Sequence, residues 1–214
     1  MSVDARPAPP AEPAQFAHLT ERTITSRELV RGNFLYARHD TVRLPDGSES
    51  TREYVVHPGA VLVVPLLEDA SGNLQLVLER QFRYPLGRVM VEFPAGKLDP
   101  GEDLLHCAQR ELREETGYRA REWAHAGVLN PVVAYSNEFI DIWFARGLTL
   151  GERELDAGEF VDVFTASPGT LLGWCRDGTV TDGKTLAASL WLQNVLSGAW
   201  SLEWAPVPPT PAAG

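Results

Sequence analysis

Acidic side chains are concentrated between residues 102 and 115, where the sequence contains Glu102, Asp103, Glu111, Glu114 and Glu115. If this segment is a helix, Glu111 and Glu115 are four residues apart, and their carboxylates project from one end beside that of Glu114. Like charges at this spacing destabilise a helix, and they lie near its C-terminus, where the helix dipole also disfavours anions. A bound divalent cation would offset this cost, and oxygen ligands at this density suit Mg²⁺ or Mn²⁺. Solvated glutamates on an exposed helix are the alternative.

The composition argues against several other kinds of site. The chain has 214 residues, 44% of them hydrophobic, with 19 Lys and Arg against 29 Asp and Glu, for a formal net charge of -10. An acidic chain gains little affinity for nucleic-acid phosphates, so nucleic-acid binding is not expected. Cys107 and Cys175 are too few and too far apart for a disulfide framework or a thiolate zinc site. The sequence has neither a membrane-spanning run nor a secretory signal, which predicts a cytoplasmic protein without membrane contacts.

The acidic segment is predicted to be one helix, residues 103–116, within a mixed pattern of helices and strands. Gly117 suits the left-handed stop at its end. Two further helices are predicted to begin at Ser167 and Asp182. Strands are predicted at residues 21–29, 33–43, 50–56, 60–67, 74–79, 89–93, 124–129, 139–145 and 160–165.

This order of elements predicts an α/β (α+β) fold with a mixed sheet, preceded by an antiparallel β extension. The expected domain boundaries are a disordered tail over residues 1–18, the β extension over 19–57, the main domain over 58–200 and a flexible tail over 201–214.

The spacing of particular residues around the acidic helix resembles the Nudix box, Gly-x5-Glu-x7-Arg-Glu-U-x-Glu-Glu-x-Gly-U, in which U is apolar. The fixed positions are occupied by Gly96, Glu102, Arg110, Glu111, Glu114, Glu115 and Gly117, and the apolar positions by Leu112 and Tyr118. Tyr118 is aromatic where an aliphatic residue is usual. The resemblance implies a Nudix α/β/α sandwich, whose loop–helix–loop holds divalent metal against a diphosphate.

The resemblance also implies roles for individual residues. Glu111 and Glu115 would bind the metal together with the carbonyl oxygen of Ala95, and Glu114 would be a further ligand or a catalytic helper. Mg²⁺ is the expected ion, Mn²⁺ is possible, and the number of ions stays open. Structural roles within the box would fall to Gly96, Glu102, Arg110 and Gly117, with an ion pair between Glu102 and Arg110 holding the loop to the helix.

The flanking segments resemble ADP-ribose and nucleoside-diphosphate-sugar pyrophosphatases, notably residues 79–85 and 92–96. In that subfamily the β extension is exchanged between the subunits of a homodimer. Arg83 matches an arginine expected to contact phosphate or ribose, and a guanidinium suits phosphate oxygens. Arg52 would reach the partner's site if the sheet is exchanged; the alternative is a surface arginine. Residues 130–138 depart from the subfamily pattern and lengthen that loop, which leaves the exact substrate open.

A glutamate on a loop beyond the box supplies the general base in that subfamily. Glu159 fits this role, since it lies in an acidic, glycine-containing loop that leads into a strand. Glu154 and Asp156 are rivals, and a solvated loop acid is the alternative reading of all three.

The expected activity is metal-dependent hydrolysis of the pyrophosphate bond of ADP-ribose or a related nucleoside diphosphate sugar, giving a nucleoside monophosphate and a sugar phosphate. The alternatives are hydrolysis of a dinucleoside polyphosphate or capped RNA, and a non-catalytic nucleotide-sugar sensor. The segment from Asp182 to Thr185 contains Gly-Lys-Thr, but the preceding glycine spacing of a P-loop is absent, so a P-loop is rejected.

Overall fold

The computed structural model describes residues 14–32, 36–155 and 157–207. The chain divides into two compact units, one made of residues 1–59 and 130–139 and the other of residues 60–129 and 140–214. One division of the chain lies between residues 59 and 60, and residues 130–139 belong to the N-terminal unit, which the sequence pattern does not indicate.

The first unit is a three-stranded antiparallel sheet. Its strands are β1 (Arg22–Arg31), β2 (Tyr36–Arg43) and β3 (Glu49–Val56), in the order β1-β2-β3, and a short 3₁₀ helix (Ala14–Leu19) precedes them. The turn between β2 and β3 forms as expected for Asp-Gly: Gly47 has φ +89°, and the Asp46 carboxylate accepts a hydrogen bond from the backbone N–H of Ser48 at 2.9 Å.

The long loop over residues 130–139 is hydrogen-bonded to the end of β3. The backbone N–H of Val55 donates to the carbonyl oxygen of Tyr135 at 2.8 Å, and the N–H of His57 donates to the Asn137 side chain at 2.7 Å. These bonds give polar backbone groups of an otherwise irregular segment their partners. The additional residues of this loop thus form hydrogen bonds within the first unit.

The second unit contains an eight-stranded mixed sheet, in which β4 and β10 are parallel and all other pairs are antiparallel. The main path runs β12-β5-β4-β10-β9-β13, while β6 pairs with β5 and β7 pairs with β4. A separate ribbon joins β8 to β11. The strands are β4 (Ala60–Glu68), β5 (Leu74–Arg83), β6 (Arg88–Glu92), β7 (Ala95–Lys97), β8 (Tyr118–Arg119), β9 (Glu122–Leu129), β10 (Ile140–Arg146), β11 (Thr149–Leu150), β12 (Val161–Ala166) and β13 (Ala205–Pro206).

Helices cover both faces of this sheet. They are α1 (Leu104–Thr116), α2 (Pro168–Asp177) and α3 (Gly183–Leu196). Strand β4 alternates between the two cores: Val61 and Val63 pack in the cluster that contains α1, whereas its alternate residues pack in the cluster that contains α2 and α3. A strand buried on both faces reads as a continuous apolar run, as residues 60–67 do. The architecture confirms the predicted α/β/α sandwich with a mixed sheet and an antiparallel N-terminal sheet.

Most predicted elements recur within a few residues, and the differences have local causes. Asp103 caps α1 rather than joining it, accepting hydrogen bonds from two backbone N–H groups of the first turn. Strand β5 continues to Arg83 because residues 79–83 pair with β6. The predicted tail after residue 200 contains β13, which pairs with β9. Residues 1–13 and 208–214 of the two predicted tails lie outside the described residues. No helix within the described ranges is both long and apolar enough to cross a membrane.

Candidate active site

Helix α1 is placed by its apolar face and by its two ends. Cys107, Ala108 and Leu112 are fully buried against the sheet. At the C-terminus the N–H of Gly117 donates to the carbonyl oxygen of Arg113 at 2.8 Å with φ +78°, a conformation that favours glycine. With this face fixed, Glu115 is directed towards β7.

Strand β7 approaches α1 closely at Gly96, where the Glu111 carboxylate occupies the space that a side chain would take. A Cβ atom on Gly96 would lie 1.9 Å from the carboxyl carbon of Glu111. Next to it, the backbone N–H of Ala95 donates to Oε2 of Glu115 at 2.9 Å. Glu111 and Glu115 therefore both lie against the backbone of residues 95 and 96, where the resemblance also places the third expected ligand, the carbonyl oxygen of Ala95.

Glu79 is an additional acid at this place, and it was not among the predicted site residues. It lies on β5, is only 3% exposed, and its Oε1 atom has no hydrogen-bond partner in the described part of the chain. An unsatisfied buried carboxylate oxygen is costly without a partner cation or donor. The signal in the sequence is a glutamate that ends the apolar run from Leu74.

Burial and mutual repulsion disfavour the charged forms of these acids. Burial raises the pKa of Glu79 to about 8, with repulsion from Glu159 and Glu92 added and attraction from Arg153 and Lys184 opposing it. Burial also raises the pKa of Glu115 well above its ordinary range, as do the charges of Glu79, Glu111 and Glu159. The pKa of Glu111 is raised by burial too. The site therefore favours a compensating positive charge.

A hard divalent cation fits this group of side chains. The donors are carboxylate and backbone oxygens, the unpartnered oxygen of Glu79 lies among them, and the missing side chain of Gly96 leaves room for Glu111. Within the described residues, no three His, Cys, Asp or Glu side chains are arranged so that they could hold a metal ion together.

Arg110 ties the loop before α1 to the helix. Its Nε and Nη2 atoms donate to the two carboxylate oxygens of Glu102, each at 2.8 Å, and Nη2 also donates to the carbonyl oxygen of Lys97 at 3.1 Å. Its Nη1 atom donates to Glu111 at 2.8 Å and to Glu114 at 3.1 Å. The hydrogen bonds from Arg110 are the main reason that the pKa of Glu102 falls to about 2.

The structure separates the candidates for the general base. Glu159 accepts a hydrogen bond from Gln81 at 3.3 Å and lies close enough to Glu79, Glu111 and Glu115 to raise their pKa values. Glu154 is instead bonded to Arg113, which also holds Glu114 at 2.7 Å. Asp156, the other rival, lies outside the described residues.

The two predicted substrate-binding arginines are in different units. Arg83 donates from Nε and Nη2 to the two oxygens of Glu92, each at 2.8 Å, at the edge of a cleft of about 450 Å³. Arg52 lies on β3 of the first unit, where it is bonded to Glu21 and to the carbonyl oxygen of Thr51. A larger cleft of about 720 Å³ lies beside Arg121, and none of the acids described above lines it.

Two family models match this chain, one after the other in sequence. The model of the NUDIX domain matches residues 56–185, and that of the nucleoside diphosphate sugar hydrolase N-terminal domain matches residues 21–55. The methanol dehydrogenase activator of Bacillus methanolicus is 37% identical over 177 residues, which cover 81% of this chain and 92% of that protein. The ADP-ribose pyrophosphatase of Bacillus subtilis is 36% identical over 177 residues, covering 82% of this chain and 94% of its own length.

A solved structure shows the same fold at low sequence identity. The crystal structure of an ADP compounds hydrolase superposes with a TM-score of 0.73 at 20% identity, covering 84% of this chain and 95% of that one.

The ion pair between Glu102 and Arg110 predicts a pH-dependent stability. Replacing Glu102 with Gln is expected to lower the free energy of unfolding near neutral pH by about 1–2 kcal/mol, because a bidentate charge-assisted pair is lost. The folded-state pKa of about 2 lies below the ordinary 4.5. The stabilisation is therefore full above pH 4.5 and disappears as the pH falls towards 2.

Urea unfolding of both proteins across this pH range measures the effect. Glu28→Gln is a matched control, because it breaks an exposed pair with Arg31 at 2.9 Å and should change stability by at most about 0.5 kcal/mol. A difference between wild type and Glu102→Gln that stays the same from neutral pH to about pH 3 would contradict this account.

Proposed function

The chain belongs to the Nudix hydrolase family, and we propose that its substrate is ADP-ribose or a related nucleoside diphosphate sugar, cleaved at the pyrophosphate bond. The observation that carries the proposal is the position of Glu111 against Gly96 and of Glu115 on the N–H of Ala95, with Glu79 and Glu159 near enough for their charges to raise the pKa of Glu115. The match of the N-terminal unit to a nucleoside diphosphate sugar hydrolase domain supports this substrate class.

Glu111, Glu115 and the carbonyl oxygen of Ala95 are the groups proposed to hold the metal, with Mg²⁺ as the expected ion and Mn²⁺ as an alternative. When bound, the ion supplies neutralisation of diphosphate charge and a lower pKa for water. Glu79 adds a further negative charge to the same place. Glu102 and Arg110 keep the loop that carries Lys97 fixed against α1, so that Gly96 stays close to Glu111.

Glu159 is the proposed general base. Its carboxylate takes a proton from water as the water oxygen bonds to one phosphorus and the bridging P–O bond breaks, which releases a nucleoside monophosphate and a sugar phosphate. Gln81 holds the Glu159 side chain beside the other acids, whereas Glu154 is engaged by Arg113. Glu114, bonded to Arg110 and Arg113, supports the arrangement as a helper.

The alternative functions have less support. Capped RNA would require a basic groove, and the chain has a net charge of -10. A non-catalytic sensor has no need of four acids gathered at one place. A dinucleoside polyphosphate stays open as a Nudix substrate, and a cytoplasmic location stays a prediction from the sequence.

The substrate proposal predicts release of AMP from ADP-ribose when the purified protein is incubated with Mg²⁺. Replacing Glu115 with Gln keeps an acceptor for the Ala95 N–H but removes the charge, so we expect kcat/KM to fall by at least about a hundredfold. Chromatography of the products from a panel of nucleotide sugars and dinucleoside polyphosphates measures both.

The control for this experiment is Glu203→Gln, which removes an exposed carboxylate far along the chain and should leave turnover unchanged. If the protein binds nucleotide but hydrolyses none of the diphosphates, it is a sensor, and the proposal that it is an enzyme is refuted.

The assignment of the base predicts different effects for two loop glutamates. Glu159→Gln should lower kcat by about a hundredfold or more while Mg²⁺ affinity stays near that of wild type, because a base contributes chiefly to the chemical step. Glu154→Gln should leave kcat within about threefold. Steady-state kinetics combined with calorimetric titration of Mg²⁺ separates the two, and equal losses in both variants would place the base elsewhere.

We also propose a homodimer formed through the N-terminal sheet. Every residue of β1 is exposed, including Ile24, Leu29 and Val30, and a long exposed edge strand with apolar side chains is uncommon in a monomer. Exchange of this sheet between subunits, which would place Arg52 in the partner's site, remains part of the same proposal.

Light scattering tests the oligomeric state. The wild type is expected at twice the chain mass of 23.6 kDa, and Leu29→Asp is expected to shift the mass towards one chain, because a buried charge weakens an apolar interface. Leu190→Asp, at an exposed position of α3, is the control that should stay dimeric. A monomeric wild type would refute the dimer.

A further inference from the structure

Lys184 lies in the first turn of α3 and is largely buried. Its side chain is 13% exposed, which is unusual for a lysine. Asp182 caps the helix by accepting a hydrogen bond from the N–H of Thr185 at 2.9 Å, and the same carboxylate oxygen contacts Nζ of Lys184 at 3.0 Å. The capped start of α3 therefore holds Lys184 in place. A P-loop is not needed to account for the Gly-Lys-Thr sequence at this position.

The partner of Lys184 across the cleft is Glu92, at the end of β6. Glu92 is 3% exposed and is bonded to two cations at once, the guanidinium fork of Arg83 and the ammonium of Lys184. Together they form a triad, here called the Arg83–Glu92–Lys184 triad, with a formal net charge of +1.

This triad lies against the acidic site. Glu92 is paired with Glu79 in the register of β5 and β6. Arg83 interacts with the charge of Glu115, and Lys184 interacts with the charge of Glu79. The N–H of Phe93 donates to the Thr185 hydroxyl at 3.1 Å. This hydrogen bond connects the residue that follows β6 to the first turn of α3. The start of α3 thus forms a second wall of the site.

The charge count of the triad matters for an anionic substrate. A carboxylate forked onto a single arginine cancels that arginine's charge, and the pair then attracts a diphosphate weakly. With Lys184 present, two cations share the Glu92 carboxylate, so Glu92 holds Arg83 in a fixed orientation without being neutralised by Arg83 alone. Asp182 contacts the same ammonium at 3.0 Å, so the formal charges of these four side chains sum to zero.

We propose that Lys184 is a positioning residue for the substrate diphosphate: it neutralises Glu92, and Glu92 in turn holds Arg83 as an oriented cation. The inference rests on the proposed function, since it takes a nucleoside diphosphate as the ligand. It assigns the Gly-Lys-Thr segment a role at the wall of the site rather than in a phosphate loop.

Kinetics of Lys184→Met tests the proposal, with ADP-ribose as substrate. KM should rise about tenfold, which corresponds to about 1.4 kcal/mol of lost attraction, while kcat stays within about threefold, because the triad acts on binding and leaves the acids in place. Lys184→Arg restores the charge and should return KM to within about threefold of wild type. Lys184→Gln serves in place of Met if the latter folds poorly.

Two comparisons distinguish this role from a structural or general electrostatic one. Arg88 lines the same cleft but donates to Thr181 at 2.7 Å and not to Glu92, so Arg88→Met removes an equal charge without touching the triad and should change KM by less than about twofold. The double variant Arg83→Met/Lys184→Met should resemble Arg83→Met alone, since Lys184 acts through Arg83.

Additive effects in that double variant, or an equal rise of KM in Arg88→Met, would overturn the proposal. Each variant of the series is also combined with Glu159→Gln, and the dissociation constant of ADP-ribose is measured by calorimetric titration. If no variant or wild type turns over any diphosphate, the proposed enzyme fails, while the order of the dissociation constants still decides for or against the triad.

Discussion

The burial of several like charges at one place is the constraint on which the rest of this structure depends. Glu79 and Glu115 are almost completely buried, burial raises the pKa of both, and the charge of Glu79 raises the pKa of Glu115 further. Carboxylates so placed would be expelled from an ordinary core, because desolvation and repulsion both oppose their charged forms. They are retained because strong packing surrounds them: β4 is buried on both faces, and α1 is anchored by Cys107, Ala108 and Leu112.

Cations of the chain itself divide the acids into two groups. Arg110 and Arg113 are bonded to Glu102, Glu111 and Glu114, and Arg83 and Lys184 are bonded to Glu92. Within the described residues, neither Glu79 nor Glu115 is bonded to an arginine or a lysine. The uncompensated charge is therefore confined to the place where an added cation fits, and the bonds on either side keep it there.

Much of the site could be predicted because the box residues are close in sequence. The spacing from Gly96 to Gly117 fixes a loop and one helix, and both elements form where expected. Glu79, Glu92 and Lys184 could not be placed in the same way, because their meeting depends on the pairing of β5 with β6 and on the packing of α3 against β4. Likewise, only tertiary hydrogen bonds assign residues 130–139 to the N-terminal unit.

The net charge of -10 changes its meaning once these positions are known. Taken over the whole chain, the net charge argues against phosphate ligands, but it does not say where the charged side chains lie. The acids are gathered where a divalent cation would reverse the local sign, and the basic side chains of Arg83 and Lys184 line one cleft together with Glu92. Electrostatic recognition acts over roughly 8–10 Å at physiological ionic strength. At that range the proposed diphosphate substrate would respond to the cleft and to a cation held by the acids, and the acidity of the remaining surface would contribute little.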